Sequence, residues 1–152
     1  MATTKGRIRA ISISQTRGTQ KTNVSEAELK TDFGIVGDAH AANWHRQVSL
    51  LGVESIDKMV EMGAAVSPGN FAENITTEGI CNGKLFELPI GSRLSVGENA
   101  ELEITQIGKE CHSRCAIFEQ VGDCVMPREG VFAKVTKGGF IKVGDIIEVL
   151  ND

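Results

Sequence analysis

The chain has no tyrosine and only one tryptophan among its 152 residues. Surfaces that stack successive nucleic-acid bases are built from such side chains, so an aromatic platform would rest on very few groups. Net charge is −4, which argues against a dedicated nucleic-acid binder, since phosphate neutralisation needs a clustered basic surface. No apolar run is long enough to span a bilayer, and the N-terminal MATTKGRIRA lacks the hydrophobic stretch of a secretory signal. The sequence contains no paired CxxC knuckles, no CxxC redox motif and no HExxH helix. Repeats, low-complexity tracts and linkers are also missing. These absences predict a single domain over residues 1–152, cytoplasmic, with neither a nucleic-acid nor a membrane partner. In that reducing compartment the four cysteines are not expected to form a disulfide framework.

What is present is β-rich. Seventeen glycines are spread between short runs that alternate polar and apolar side chains. Arg7 to Ser14 alternates as a half-buried strand does, and so do Ser92–Val96 and Ala100–Thr105, joined by Gly97-Glu98-Asn99. Residues 15–24 read as a polar loop with basic positions at Arg17 and Lys21. In GIVGDAH, two glycines three apart mark a tight turn. Ser49 to Met62 carries Leu50, Val53, Ile56, Asp57 and Val60 at helical offsets and is predicted to be an amphipathic helix stopped by Gly63. SPGNFAENI is expected to be a loop leading into a strand, and Asn82-Gly83 a hairpin turn. The C-terminal VFAKVTKGGFIKVGDIIEVL reads as a strand pair joined at its glycines. The fold class expected is mainly β: a closed β-barrel with one or two short helices.

Several clusters could carry chemistry. GKECHSRCAIF, residues 108–118, holds Cys111, His112 and Cys115 with Lys109 and Arg114. Cations near a thiol favour thiolate and make it a better nucleophile or metal ligand, although Glu110 opposes them. With Cys124 as third ligand and His40 or His112 as fourth, a zinc site is conceivable, but the spacing matches no common zinc module. Cys81 and Cys124 also suit the plain reading of small buried hydrophobes. In GIVGDAHAANWHRQVSL, Asp38, His40, His45 and Arg46 crowd a glycine turn. They form either solvated turn residues or an anion pocket, with Arg46 offering a planar fork and His40 a switchable donor. In SPGNFAENITTEGI, Asn70 and Asn74 either cap turns or donate to oxyanions. Arg128 is an exposed turn residue or a second anion contact.

Taken in order, GIVGDAHA, HRQVSL, PGNFAENIT, LPIGSRLSVGENAELEIT, GKECHSRC, REGVFAKV and GGFIKVGDIIEV resemble the MOSC domain, the module named after the C-terminal region of molybdenum-cofactor sulfurases. The similarity runs from about Arg7 to Leu150 and is strongest to the short stand-alone bacterial form. It implies a β-barrel with one functional cysteine after the LEIT strand, here Cys111; Glu110 stands where the family usually has proline. The resemblance implies a sulfur carrier or sulfurtransferase that matures the molybdenum (or tungsten) pterin cofactor through a Cys111 persulfide. Its expected partners are a cysteine desulfurase as donor and molybdenum-cofactor biosynthesis proteins or molybdoenzymes as acceptors. No pyridoxal-phosphate site is recognised in the chain. Asp38, His40, Arg46, Asn70, Asn74, Lys109, Arg114 and Arg128 are the expected cofactor-binding residues. The alternative is a cofactor-binding carrier or redox protein in which Cys111 itself ligates molybdenum, since thiolate is a soft donor. A structural zinc or plain interaction domain is the third reading.

Overall fold

The structure, a computed structural model, describes residues 4–16, 21–108 and 126–150. In chain order its strands are β1 (Lys5–Ile13), β2 (Thr22–Val24), β3 (Glu26–Lys30), β4 (Gly34–Ile35), β5 (Val48–Gly52), β6 (Ile75–Glu78), β7 (Arg93–Val96), β8 (Ala100–Ile107), β9 (Val131–Lys137), β10 (Gly139–Lys142) and β11 (Ile146–Leu150). Helix α1 (Val53–Glu61) follows β5 directly, and a four-residue turn of helix, α2 (Met126–Glu129), leads into β9.

Alternation builds the barrel. In β8, Ala100, Leu102 and Ile104 point inward and are buried, while the intervening Glu101, Glu103 and Thr105 are only partly covered. Its neighbour β7 buries Leu94 and Val96 in the same way. Seven strands close the ring in the order β1, β11, β7, β8, β9, β5, β6 and back to β1, and β2 pairs with the far end of β1. Closure leaves no open edge in the ring. The interior is filled by Ile8, Ile11, Leu50, Ile75, Leu94, Leu102, Ile104, Val131 and Ile147, among others. A second apolar cluster lies outside the barrel, where Ile56 and Met59 of α1 cover Leu51, Phe71 and Phe132.

Four sequence expectations change. The helix begins at Val53, not Ser49, because Val48–Gly52 is a barrel strand buried along its whole length. Leu50 fills the barrel and Leu51 sits under α1, so the run shows no strand-like alternation. Val60 accordingly faces solvent at 48% exposure, and Ser55, Ile56 and Met59 form the buried face. Asn82-Gly83 lies in a tight 3-10 turn, Ile80–Gly83, with left-handed backbone at Cys81 and Asn82, and it joins no hairpin. The C-terminal pair is also redistributed. Strand β10 leaves β9 to pair with β3, Phe140 opposite Glu28, in a separate sheet of order β10-β3-β4. Finally, part of the expected 15–24 loop is strand β2, whose Val24 pairs with Ile11.

Candidate functional site

Two motifs meet across Lys21. Its side chain has no exposed surface, and its ammonium lies 2.7 Å from Asp38 Oδ1 and 3.0 Å from His40 Nδ1. Asp38 is placed by the tight turn that follows β4, where its amide donates to the Ile35 carbonyl. Its other partners are backbone: the Ser14 amide donates to Oδ1 and the His40 amide to Oδ2, both at 3.1 Å. On the opposite side, the Lys21 amide donates to the Gly69 carbonyl at 3.0 Å. Gly69 has a left-handed backbone, and a Cβ there would come within 2.8 Å of the Lys21 carbonyl oxygen. Only glycine fits this approach.

Burial alone would raise the Asp38 carboxyl. The hydrogen bond from Lys21, the Ser14 amide, the Lys21 charge and the His40 amide outweigh it and hold the group below its ordinary 3.8. A depressed folded-state value means that Asp38 stabilises the fold fully above its ordinary value, and that this contribution is lost as pH falls through the folded value. Denaturant titrations at a series of acidic pH values should therefore show stability dropping below the ordinary carboxylate range. Asp38→Asn should lack that part of the slope.

The residues of PGNFAENIT divide their work. Asn70 Oδ1 accepts from the Ser67 amide at 3.0 Å, the turn-capping use of an asparagine. Asn74 is fully buried: Oδ1 accepts from the Ser49 amide and hydroxyl, and Nδ2 donates to the Ser12 carbonyl. It ties β5 to the end of β1. Glu73, also fully buried, takes the amides of Gly69 and Phe71 and the Thr76 hydroxyl.

Arg46 occupies a different wall. Its guanidinium lies 4.8 Å from the centre of the Trp44 ring and 5.5 Å from that of Phe132 at the start of β9. Trp44 is itself fixed by donating its indole N–H to the His40 carbonyl at 2.8 Å. Arg46 Nε is buried, and no hydrogen-bond partner for it is found among the described residues. His45 Nε2 pairs with Gln106 Oε1 at 2.9 Å, and the Thr105 hydroxyl is hydrogen-bonded to the His45 carbonyl. The 38–47 segment is thereby fastened to the end of β8. There the Gly108 amide donates to the Gly130 carbonyl at 2.6 Å, so the chain leaves β8 and re-enters β9 at one hydrogen-bonded base.

Cys111, Lys109, Arg114, His112, Cys115 and Cys124 lie between those two points in sequence and outside the described residues. Arg128 is exposed on α2. Beside it Glu129 is buried against α1, where it accepts the Ser55 hydroxyl at 2.6 Å and pairs with Lys58. Cys81 is half-buried on the 3-10 turn; burial, helped by the charge of Glu87, pushes its thiol up. Among the described residues no three His, Cys, Asp or Glu side chains converge to hold a metal, and no helix is long and apolar enough to cross a membrane. The structure thus brings Asp38 and His40 together through Lys21, sets Arg46 between aromatic rings nearby in the chain, and leaves Arg128 on a separate helical turn. The sequence reading marked Lys21 only as a basic position of the 15–24 loop and gave Glu73 and Trp44 no role.

Comparison with curated proteins gives no match. Among solved structures, the YuaD protein from Bacillus subtilis superposes with a TM-score of 0.79 at 18% identity, covering 98% of each chain. YiiM from Escherichia coli gives 0.63 at 18% identity, over 96% of this chain and 70% of that one. YiiM from Geobacillus stearothermophilus gives 0.67 at 15% identity, over 96% and 75%. At such identities the likeness is one of fold. A family model described as the MOSC domain matches residues 37–148, a span that starts at the GDAH turn and ends in β11. With well over half of its length matched, the chain belongs to the MOSC domain family, which is linked to molybdenum-cofactor sulfurases.

Proposed function

We propose that this protein is a sulfur carrier for molybdenum (or tungsten) cofactor maturation, with Cys111 as the residue that bears the sulfur. The observation that carries this reading is the family match, since the family is linked to cofactor sulfuration. A second feature supports it. The Arg46 guanidinium stacks on Phe132, two residues beyond Gly130, so a cation stands where the Cys111-bearing stretch rejoins the barrel. The buried Nε of Arg46 lacks an acceptor among the described residues, and a phosphate or a persulfide anion is an acceptor of the required kind. Arg46, with Lys109 and Arg114, holds the anionic part of the acceptor, which is the cofactor as substrate.

In the loading step the Cys111 thiolate attacks the terminal sulfur of a donor persulfide. A new S–S bond forms at Cys111, the donor's own S–S bond breaks, and the donor cysteine leaves as thiolate, with no net redox change. A cysteine desulfurase is the donor class that generates such a persulfide.

Incubation with a cysteine desulfurase and cysteine should add one sulfur atom to the protein, seen as a mass increase in intact-protein spectra under non-reducing conditions. The adduct should disappear on reduction and should not form on Cys111→Ser. An unmodified wild-type protein, or an adduct that survives in Cys111→Ser, would overturn the assignment.

A further inference from the structure

The contacts of Lys21 constrain the chemistry of its neighbour. An ammonium has three hydrogens to donate and no lone pair to accept with. Around Lys21 Nζ stand Asp38 Oδ1 at 2.7 Å, His40 Nδ1 at 3.0 Å and Ser14 Oγ at 3.3 Å. The Ser14 hydroxyl hydrogen is already directed to the Thr16 carbonyl at 3.0 Å, so toward Lys21 its oxygen acts as acceptor. Asp38, as a carboxylate, accepts only. Three donors therefore face three acceptors, provided that His40 Nδ1 carries a lone pair. The competing arrangement would turn an Nδ1–H toward Asp38 Oδ2, which is 3.8 Å away and beyond hydrogen-bond range.

The geometry points to Lys21 as a positioning residue that locks His40 as the neutral imidazole with its hydrogen on Nε2. Lys21 thereby makes His40 a hydrogen-bond donor at the site and denies it the role of proton acceptor through Nδ1. A second proton on this ring would have to sit on Nδ1, facing a cation 3.0 Å away. The His40 side chain is 27% exposed while Lys21 and Asp38 are closed off, so the ring is the part of this trio that reaches the surface. The trio reads as a buried charge pair that fixes the tautomer of one accessible ring. The group suited to an Nε2–H donor is an anion: a phosphate or carboxylate oxygen, or an anionic sulfur.

The consequence for catalysis rests on the sulfur-carrier reading above; the tautomer itself does not. In that reading His40 stabilises negative charge on the ligand and leaves deprotonation of Cys111 to other groups.

Nitrogen-15 NMR of the imidazoles in uniformly labelled, sulfur-free protein near neutral pH tests this directly. His40, assigned by its absence in His40→Gln, should show a pyridine-like Nδ1 and a pyrrole-like Nε2. Lys21→Arg, which keeps a donor-only cation, should retain that pattern, and Lys21→Met should shift it toward the averaged or Nδ1–H pattern. A wild-type ring with hydrogen on Nδ1, or doubly protonated, overturns the inference without recourse to any variant. So does a folded Lys21→Met protein with an unchanged ring. Because the spectra are taken without a sulfur donor, they stand or fall apart from the Cys111 adduct.

Discussion

Replacing Lys21 by methionine should lower the unfolding free energy by about 3–5 kcal/mol, the usual cost of removing one partner from a buried ion pair. The size of the effect follows from what is left behind. Asp38 is buried, and with Lys21 gone its charge is met only by the Ser14 and His40 amides. Adding Asp38→Asn to Lys21→Met removes the uncompensated charge while keeping a carbonyl oxygen for one amide. The double variant should therefore recover about 1–2 kcal/mol relative to Lys21→Met alone, a coupling that independent sites do not show. Acid gives a second check. The deserted carboxyl of Lys21→Met takes up a proton more easily than the paired one, so the gap to wild type should close as pH falls below the ordinary carboxylate range. Chemical denaturation of the two single variants and the double variant measures all of this. Strict additivity would show that the pair is not energetically coupled.

That Lys21 matters at all was not readable from the sequence, and the reason is physical. Asp38 and His40 announce themselves because they sit in one short glycine turn. Lys21 lies 17 residues before Asp38, and its importance arises only when β1, the 67–74 loop and the turn after β4 fold onto one another. The same distinction runs through the fold. Strands β7 and β8, buried on one face and joined by a glycine turn, carry the two-residue period that sequence displays. Strand β5 does not: its barrel face and its helix face are both covered, the period vanishes, and the run merges with the helix that follows. Nor can a local pattern show that β10 will pair with β3, from Gly139↔Leu29 to Lys142↔Glu26, since the partner is remote in the chain. The closed barrel was legible through the order of its motifs, and that order is also what the family match reads. For the site, the residue types of a candidate anion pocket were visible. Whether each points into a pocket or holds the scaffold was not: Asn74 is a buried tie between β5 and β1, while Arg46 keeps a buried Nε without a partner among the described residues.

Glu73→Ala should be the other severe lesion, at about 3–6 kcal/mol, because it strands buried donors. Glu73 Oε2 accepts the Gly69 amide at 2.8 Å and the Thr76 hydroxyl at 2.9 Å, and Oε1 accepts the Phe71 amide at 3.2 Å. The loop from Pro68 to Asn74 is wrapped around this one carboxylate, with Gly69 and Ala72 in left-handed backbone. An alanine leaves those groups inside the protein without acceptors. Loss of the Gly69 contact also loosens the strap over Lys21, so damage should reach His40 as altered ring signals in the same nitrogen-15 spectra. Glu73→Gln should cost less, about 1–2 kcal/mol: its oxygen can serve Gly69 and Thr76, while its amide NH2 faces the Phe71 N–H donor to donor. The pH dependence has a definite sign. Burial pushes the Glu73 carboxyl above its ordinary 4.5, against the opposing hydrogen bonds from Gly69, its own amide, Thr76 and Phe71. Between the ordinary and the raised value the folded protein holds more protons than the unfolded chain, so the contribution of Glu73 to stability shrinks as pH rises. Wild type and Glu73→Ala should thus differ most at the acid end of that window and converge somewhat toward neutral pH, the opposite trend to Lys21→Met. Denaturant titrations of both variants across the same buffers separate the two carboxylates: parallel curves would mean that one of the two environments has been misassigned.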